Sequence, residues 1–169
     1  MDLALTYGPS PYTEPFLTYS DADYAGDSNT LRSTGAYVVM MGGGAVDWSS
    51  KLQPVVAQST TEAEYIAANA AGRDIAWVRN LLTEFGYSLS ESPSTLYMDN
   101  NSAIAVAKNP EHHGRLKHMQ LRLYWLRDVI EQGMIAPEYV PTASMLADLL
   151  TKALPLVKVA ELRSLMGLE

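Results

Sequence analysis

The 169-residue sequence predicts a single α/β domain built on a five-stranded mixed sheet flanked by helices. Three observations predict it. Residues 16–50 hold three short apolar or alternating runs broken by turn residues. After residue 60, helical periods alternate with further strand-like runs. A 47% hydrophobic fraction against 18% charged residues is enough to bury a core. Strands that meander pair antiparallel, whereas strands joined through helices run parallel, so the sheet is mixed.

Residues 1–14 carry Gly8, Pro9, Ser10 and Pro11 and read as an extended lead-in, leaving 15–169 as the domain. "FLTYS", "GAYVVMM" and "AVDWSS" read as three strands, the last two joined as a hairpin by "GGG", whose glycines tolerate positive φ. From Thr60 to Phe85, Ala63, Ile66, Ala67, Ala70, Trp77, Val78, Leu81, Leu82 and Phe85 recur with the helical period, and Gly86 closes the helix. "STTE" at its start fits a capping box, with Ser59 as N-cap and Glu62 reaching back to the cap N–H. "STLYMD" (94–99) is a fourth strand, "NSAIAVAKN" a short helix, "HMQLRLYWLRDVIEQG" (118–133) a third helix, and "IAPEYVP" (135–141) a fifth strand. Two helical stretches follow, near 143–153 and 156–166. Trp48, Trp77, Trp125, Tyr65 and Tyr124 fall in these patterns as core residues, and Asp27 and Asp47 as turn or solvent-facing residues.

Composition excludes several classes. With no cysteine, disulfides, thiolate metal sites and cysteine nucleophiles are all ruled out, which suits a reducing interior. No apolar run reaches the roughly 18 residues of a membrane span, and the first ten residues lack the basic start and apolar block of a signal peptide. No Gly-x-Ser-x-Gly elbow marks a serine nucleophile. A net charge of -7 argues against nucleic-acid binding only if it is evenly spread. It is not: Lys108, Arg115, Lys117, Arg122 and Arg127, five of the twelve basic residues, lie in one stretch with all three histidines.

The acids are placed where ligands bind. In a sheet with parallel strands the crevice lies at their carboxyl ends. Asp21 follows the first strand and Asp99 ends the fourth, so adjacent parallel strands would bring both to one end of the sheet. Glu62 has its capping role, but Glu64 lies near the start of an apolar helix face, where an unpaired acid is costly. Asp148 sits among Leu146, Ala147, Leu149 and Leu150 and needs a partner, which a shared cation would supply. Carboxylates without cysteine form a hard oxygen site suited to Mg²⁺ or Mn²⁺, and two such ions about 4 Å apart can drive phosphodiester hydrolysis. The oxygen-rich site has no need of His112 or His113 as further ligands.

The ordered stretches "YSDADYAGD", "RSTGAYVVMMGGGAVDWSSKLQPVVAQSTTEAEYIA", "LYMDNNSAIAVAKNP", "RLKH", "EYVPTASMLADLLTKALP" and "LRSLMGL" resemble the ribonuclease H domain of Ty1/copia-type LTR retrotransposon polyproteins. The resemblance runs from about residue 16 to the end. It implies a ribonuclease H-like fold lying downstream of a reverse transcriptase, with residues 1–14 carried over from that upstream region. It also implies a two-metal endonuclease that hydrolyses the RNA strand of RNA/DNA hybrids during replication of the element. Asp21, Glu64, Asp99 and Asp148 are then the catalytic and metal-binding acids, with Asp21 preferred over Asp23. The reverse transcriptase domain of the same polyprotein and the hybrid are the implied partners, with no membrane. The setting is cytoplasmic, inside the element's particle, or nuclear.

The sequence also departs from the wider pattern. "VPTASMLAD" lacks the flexible histidine of many ribonucleases H, and the family's usual "KHIDIRYHF" reads "KHMQLRLYWL", which puts Gln120 and Tyr124 where an Asp and a His are usual.

A hybrid is read through groove shape, 2′-hydroxyls and phosphates. Thr61, Asn100 and Asn101 are candidates for ribose hydroxyls, with helix capping as the alternative for the asparagines. Lys108, Arg115, Lys117 and His118 are candidates for the DNA backbone, or else form a solvated face. Two other functions compete: a non-catalytic module of the same fold that binds hybrid or braces the reverse transcriptase, and an integrase or resolvase acting on duplex DNA.

Overall fold

The computed structural model describes residues 3–9, 14–89, 92–109 and 120–169. Five strands form one sheet: β1 (Phe16–Asp23), β2 (Thr34–Met41), β3 (Gly44–Leu52), β4 (Ser94–Met98) and β5 (Ile135–Tyr139). Their order is β3-β2-β1-β4-β5, antiparallel across β3, β2 and β1 and parallel across β1, β4 and β5. The helices are α1 (Thr60–Glu84), α2 (Asn101–Lys108), α3 (Gln120–Glu131), α4 (Asp148–Thr151) and α5 (Leu156–Leu165). This is the mixed sheet expected, with its antiparallel edge formed by a hairpin. Gly42 and Gly43 make that hairpin's turn at φ 58° and 77°, values open to glycine at little steric cost.

β1 is buried along nearly its whole length because both its faces are covered. Phe16 and Ala22 join a core formed with α1, α2 and α3, while Leu17 and Tyr19 join a second core under Met145, Leu146, Ala147 and Leu162. Along α1, Ala63, Ala67, Ala68 and Ala71 keep the helix close to the sheet. Gly72 lets α3 approach: a Cβ there would lie 2.9 Å from Leu126 Cδ1. Each large side chain so buried contributes roughly 1.5–3 kcal/mol.

Several details differ from expectation. Trp48 and Trp77 are 54% and 57% exposed and Tyr124 is 54% exposed, so none of the three is core. Trp48 lies on edge strand β3, and Trp77 lies on the side of α1 turned away from the sheet. Trp125 does pack on the core and carries Arg73 over its ring at 5.7 Å. Glu62 sends its Oε2 to the N–H of Gln58 at 2.8 Å, one residue before the cap, while Ser59 accepts from Glu62 N–H as expected. The stretch expected to be helical over 143–153 is a short 3-10 turn at Thr142–Ser144 and then the four-residue α4.

The described part of residues 1–14 is fastened to the domain. Ala4 and Glu169 exchange backbone hydrogen bonds of 2.7 and 3.0 Å, Thr6 N–H meets Gly167 O at 2.8 Å, and Gly8 N–H meets Gly42 O at 2.8 Å. Leu5 and Leu168 form an antiparallel bridge there.

Candidate active site

The register of β1 against β4 builds the site. Thr18 pairs with Leu96 and Tyr19 with Tyr97, and the same offset sets Asp21 level with Asp99, one residue beyond the end of β4. Two acids on adjacent parallel strands therefore reach the same carboxyl-end crevice. Asp148 begins α4, which packs against β1 and β2. One carboxylate oxygen from each of Asp21, Asp99 and Asp148 lies within 4.8 Å of the other two. Asp21 and Asp148 are buried and Asp99 is partly open.

Glu64, the fifth residue of α1, is not one of the three acids that converge within 4.8 Å, but it lies near enough for the charges of Asp21 and Asp99 to act on it. It is 6% exposed, and its Oε2 has no hydrogen-bond partner. Burial pushes its pKa up to about 9, the charges of Asp21 and Asp99 push the same way, and a hydrogen bond from Ala22 N–H together with the charge of Lys152 only partly opposes them. Asp148 is raised to about 6 chiefly by burial; its hydrogen bond from Lys152 opposes that and the charge of Asp21 adds to it. Each acid comes from a different element, and close like charges of this kind cost free energy unless something positive joins them.

Three residues that the sequence reading passed over hold the cluster. Thr142 Oγ1 donates to Asp99 Oδ2 at 2.7 Å. Thr151 Oγ1 donates to Asp21 Oδ2. Lys152 Nζ lies 2.8 Å from Asp148 Oδ1 and 3.6 Å from Asp21 Oδ2. Thr151 and Lys152 stand three and four residues after Asp148, a spacing that could have pointed to them had α4 been recognised as helical.

The other expected residues are placed around this group. Asp23 turns toward its own turn, its Oδ2 filling the space where a Cβ on Gly26 would sit, and it does not join the three-acid group. Asn100 caps α2, its Oδ1 accepting from the N–H groups of Ser102 and Ala103 at 3.0 and 3.1 Å. Asn101 is exposed at the start of α2, Lys108 is exposed at its end, and Thr61 is half-buried in the first turn of α1. Arg115, Lys117 and His118, with His112 and His113, lie outside the described residues.

The donor set fits a hard divalent cation. All four side chains offer carboxylate oxygen, and Glu64 Oε2 has no protein partner, so a cation would relieve a buried, unsatisfied acceptor.

Sheet order and helix placement define a ribonuclease H-like fold, and solved structures agree. The chain is similar to the N-terminal ribonuclease H domain of a Mycobacterium tuberculosis protein, solved as a maltose-binding-protein fusion, with a TM-score of 0.57 at 17% identity over 80% of this chain and 89% of that one. It is similar to ribonuclease H1 of Halobacterium salinarum (TM-score 0.53, 21% identity, 80% and 93% covered). It is also similar to LC11-RNase H1, solved in complex with an RNA/DNA hybrid (TM-score 0.54, 16% identity, 80% and 93% covered).

In sequence, the chain is similar to retrovirus-related Pol polyproteins. That of transposon TNT 1-94 from Nicotiana tabacum is 39% identical over 157 residues and that of transposon RE2 from Arabidopsis thaliana 42% over 142, covering 92% and 84% of this chain. The chain spans only 12% and 10% of those polyproteins. No family model matches it. The chain is thus a ribonuclease H-like domain homologous to a segment of retrotransposon Pol polyproteins.

Proposed function

We propose that this domain is a divalent-metal-dependent endonuclease that hydrolyses the RNA strand of RNA/DNA hybrids during reverse transcription of a copia-type element. The observation that carries the reading is the convergence of Asp21, Asp99 and Asp148 within 4.8 Å at the carboxyl ends of parallel strands.

Asp21, Glu64, Asp99 and Asp148 would hold Mg²⁺ or Mn²⁺, two ions in the full site. Bound there, the ions supply an activated water and a stabilised leaving 3′ oxygen. The protein supplies position. Thr151 and Thr142 fix the carboxylates of Asp21 and Asp99 from one side, so their remaining lone pairs face the crevice. Burial of Asp21, Glu64 and Asp148 keeps bulk water from competing for those oxygens. Asn101 and Thr61 would contact ribose hydroxyls, together with the amide nitrogen that Asn100 keeps beyond its cap. Lys108 and the basic stretch after it take the DNA backbone, with the reverse transcriptase domain of the same polyprotein as neighbour. The work is done in the element's cytoplasmic particle or in the nucleus.

The test is incubation of the purified chain with labelled RNA/DNA hybrid, single-stranded RNA and duplex DNA, in Mg²⁺, Mn²⁺ or EDTA, beside Asp99→Asn. Cleavage confined to the hybrid's RNA strand, metal-dependent and lost in the variant, is the expected result. Hybrid binding without cleavage would replace the reading with a non-catalytic module, and cleavage of duplex DNA would replace it with an integrase-like enzyme.

A further inference from the structure

We propose that Lys152 is a resident counter-ion of the acid cluster, occupying the space between Asp21 and Asp148 in the metal-free protein and giving it up when a divalent cation binds. The inference rests on the metal-site reading above and adds to it a residue that sets metal affinity.

The local backbone places it there. α4 stops after one turn, and Lys152 leaves it in an extended conformation at φ -144° and ψ 156°. Its side chain returns over the turn, so Nζ lies 2.8 Å from Asp148 Oδ1 and 3.6 Å from Asp21 Oδ2. Among the described residues it is the cation that ion-pairs with these acids. Thr151, its neighbour, donates to the same Asp21 oxygen, so one short segment delivers a carboxylate, a hydroxyl and an ammonium to a single point.

Ammonium and metal cannot share that point. A hard divalent ion such as Mg²⁺ sits about 2.0–2.1 Å from its oxygen ligands. An ion bound to both Asp21 and Asp148 would therefore fall against the present position of Nζ, where like charges repel. Lys152 can withdraw, because its side chain is 34% exposed and its four-carbon stem is flexible. The exchange needs no proton transfer. It trades one positive charge for two in a cluster of carboxyls that holds a single ammonium among the described residues, which gives the metal its advantage and makes the ammonium a competitor. In the metal-free protein the same ammonium offsets carboxylate repulsion and so stabilises the fold.

The experiment is calorimetric titration of the whole chain with Mn²⁺, and melting in EDTA and in Mn²⁺, for wild type, Lys152→Met and Lys152→Gln. Methionine keeps the stem's bulk without charge; glutamine keeps polarity in case methionine impairs folding. The expected result is Mn²⁺ binding at least about tenfold tighter in both variants, equal to about 1.4 kcal/mol, with a lower Tm in EDTA and a larger rise on adding metal. A Met variant that folds only with Mn²⁺ would support the proposal in the same sense. Unchanged or weaker Mn²⁺ binding in a folded variant would overturn it while leaving the metal-site reading intact. A wild-type chain that binds no Mn²⁺ would instead overturn the metal-site reading and the proposal with it.

Discussion

Two groups of acids occupy this molecule, and they solve the problem of charge differently. At the strand ends, Asp21, Asp99 and Asp148 converge with Glu64 close enough to feel the charges of Asp21 and Asp99, and the four meet one ammonium, two hydroxyls and the Ala22 N–H. Between α1 and the hairpin, Asp74 meets Asp47 and Tyr37. Burial there raises Asp74 to about 6, the charge of Asp47 and the hydrogen bond between the two carboxyls add to it, and Tyr37 opposes. Tyr37 itself is pushed up to about 12, first by burial and then by the charges of Asp74 and Asp47. In the second group one proton shared between Asp74 and Asp47 removes the like-charge repulsion and the Tyr37 phenol adds a hydrogen bond, although Asp74 Oδ2 keeps no partner. The first sets four carboxyls against a single ammonium among the described residues, so its hydrogen-bond donors leave most of the negative charge uncompensated. That excess of carboxylate charge over cationic charge, more than proximity alone, is what suits the group to a cation.

The largest expected effect would break the comparison outright. Asp99→Asn should lower hybrid cleavage on the order of a thousandfold, since metal charge stabilisation is worth several kcal/mol. The Tm in EDTA should not fall, because asparagine can still accept from Thr142. Equal activity of variant and wild type in single-turnover assays would remove the strand-end group from the chemistry.

Next in size is the response to metal. Saturating Mn²⁺ at about a hundred times its Kd should add about 2.7 kcal/mol, a rise of roughly 5–10 °C in Tm for a domain of this size. Asp21→Asn should abolish the rise and Asp74→Asn should keep it. A rise that follows Asp74 would exchange the roles of the two groups.

The pH dependence sharpens the contrast. Glu64 has its folded pKa raised from 4.5 to about 9, so the folded chain holds this proton more tightly than the unfolded one. Its favourable contribution is full below the unfolded value and is lost as pH rises toward the folded one. Asp148 behaves alike between 3.8 and about 6. In EDTA, stability measured by urea melts should therefore fall across this alkaline-going range, and Glu64→Gln should flatten the upper part. Stability that climbs over the same range would contradict the burial assigned to Glu64.

Smallest is Asp74→Asn. The raised Asp74 costs stability above its folded value of about 6, so the variant should gain a little at neutral pH, about 1 kcal/mol after solvent screening. Cleavage should stay within about twofold. A large loss of cleavage would show that the second group reaches the site.

The fold was largely legible because its signals are local. Alternation marked β1 to β3, Ser59 and Glu62 marked the start of α1, and the glycines marked its end and the hairpin, with Gly86 at φ 90°. What escaped depends on neighbours far along the chain. A tryptophan in a strand pattern does not reveal that its strand is the sheet's edge, so Trp48 read as core. The hydroxyls that hold the acids escaped for the same reason: Thr151 meets Asp21 across 130 residues of sequence and Thr142 meets Asp99 across 43. The acids themselves were readable because an Asp among leucines, or a Glu on an apolar helix face, is a local anomaly that demands a partner.

The clasp between residues 4–6 and 167–169 has a mechanical consequence. Its two strands are antiparallel, with Ala4 opposite Glu169, so a force that draws Ala4 and Glu169 apart acts at one end of the ladder. Such a pair peels open one hydrogen bond at a time instead of resisting in shear. Such a force would be absorbed there as a fraying zipper, leaving β1 and the strand-end carboxylates unloaded until the clasp had gone.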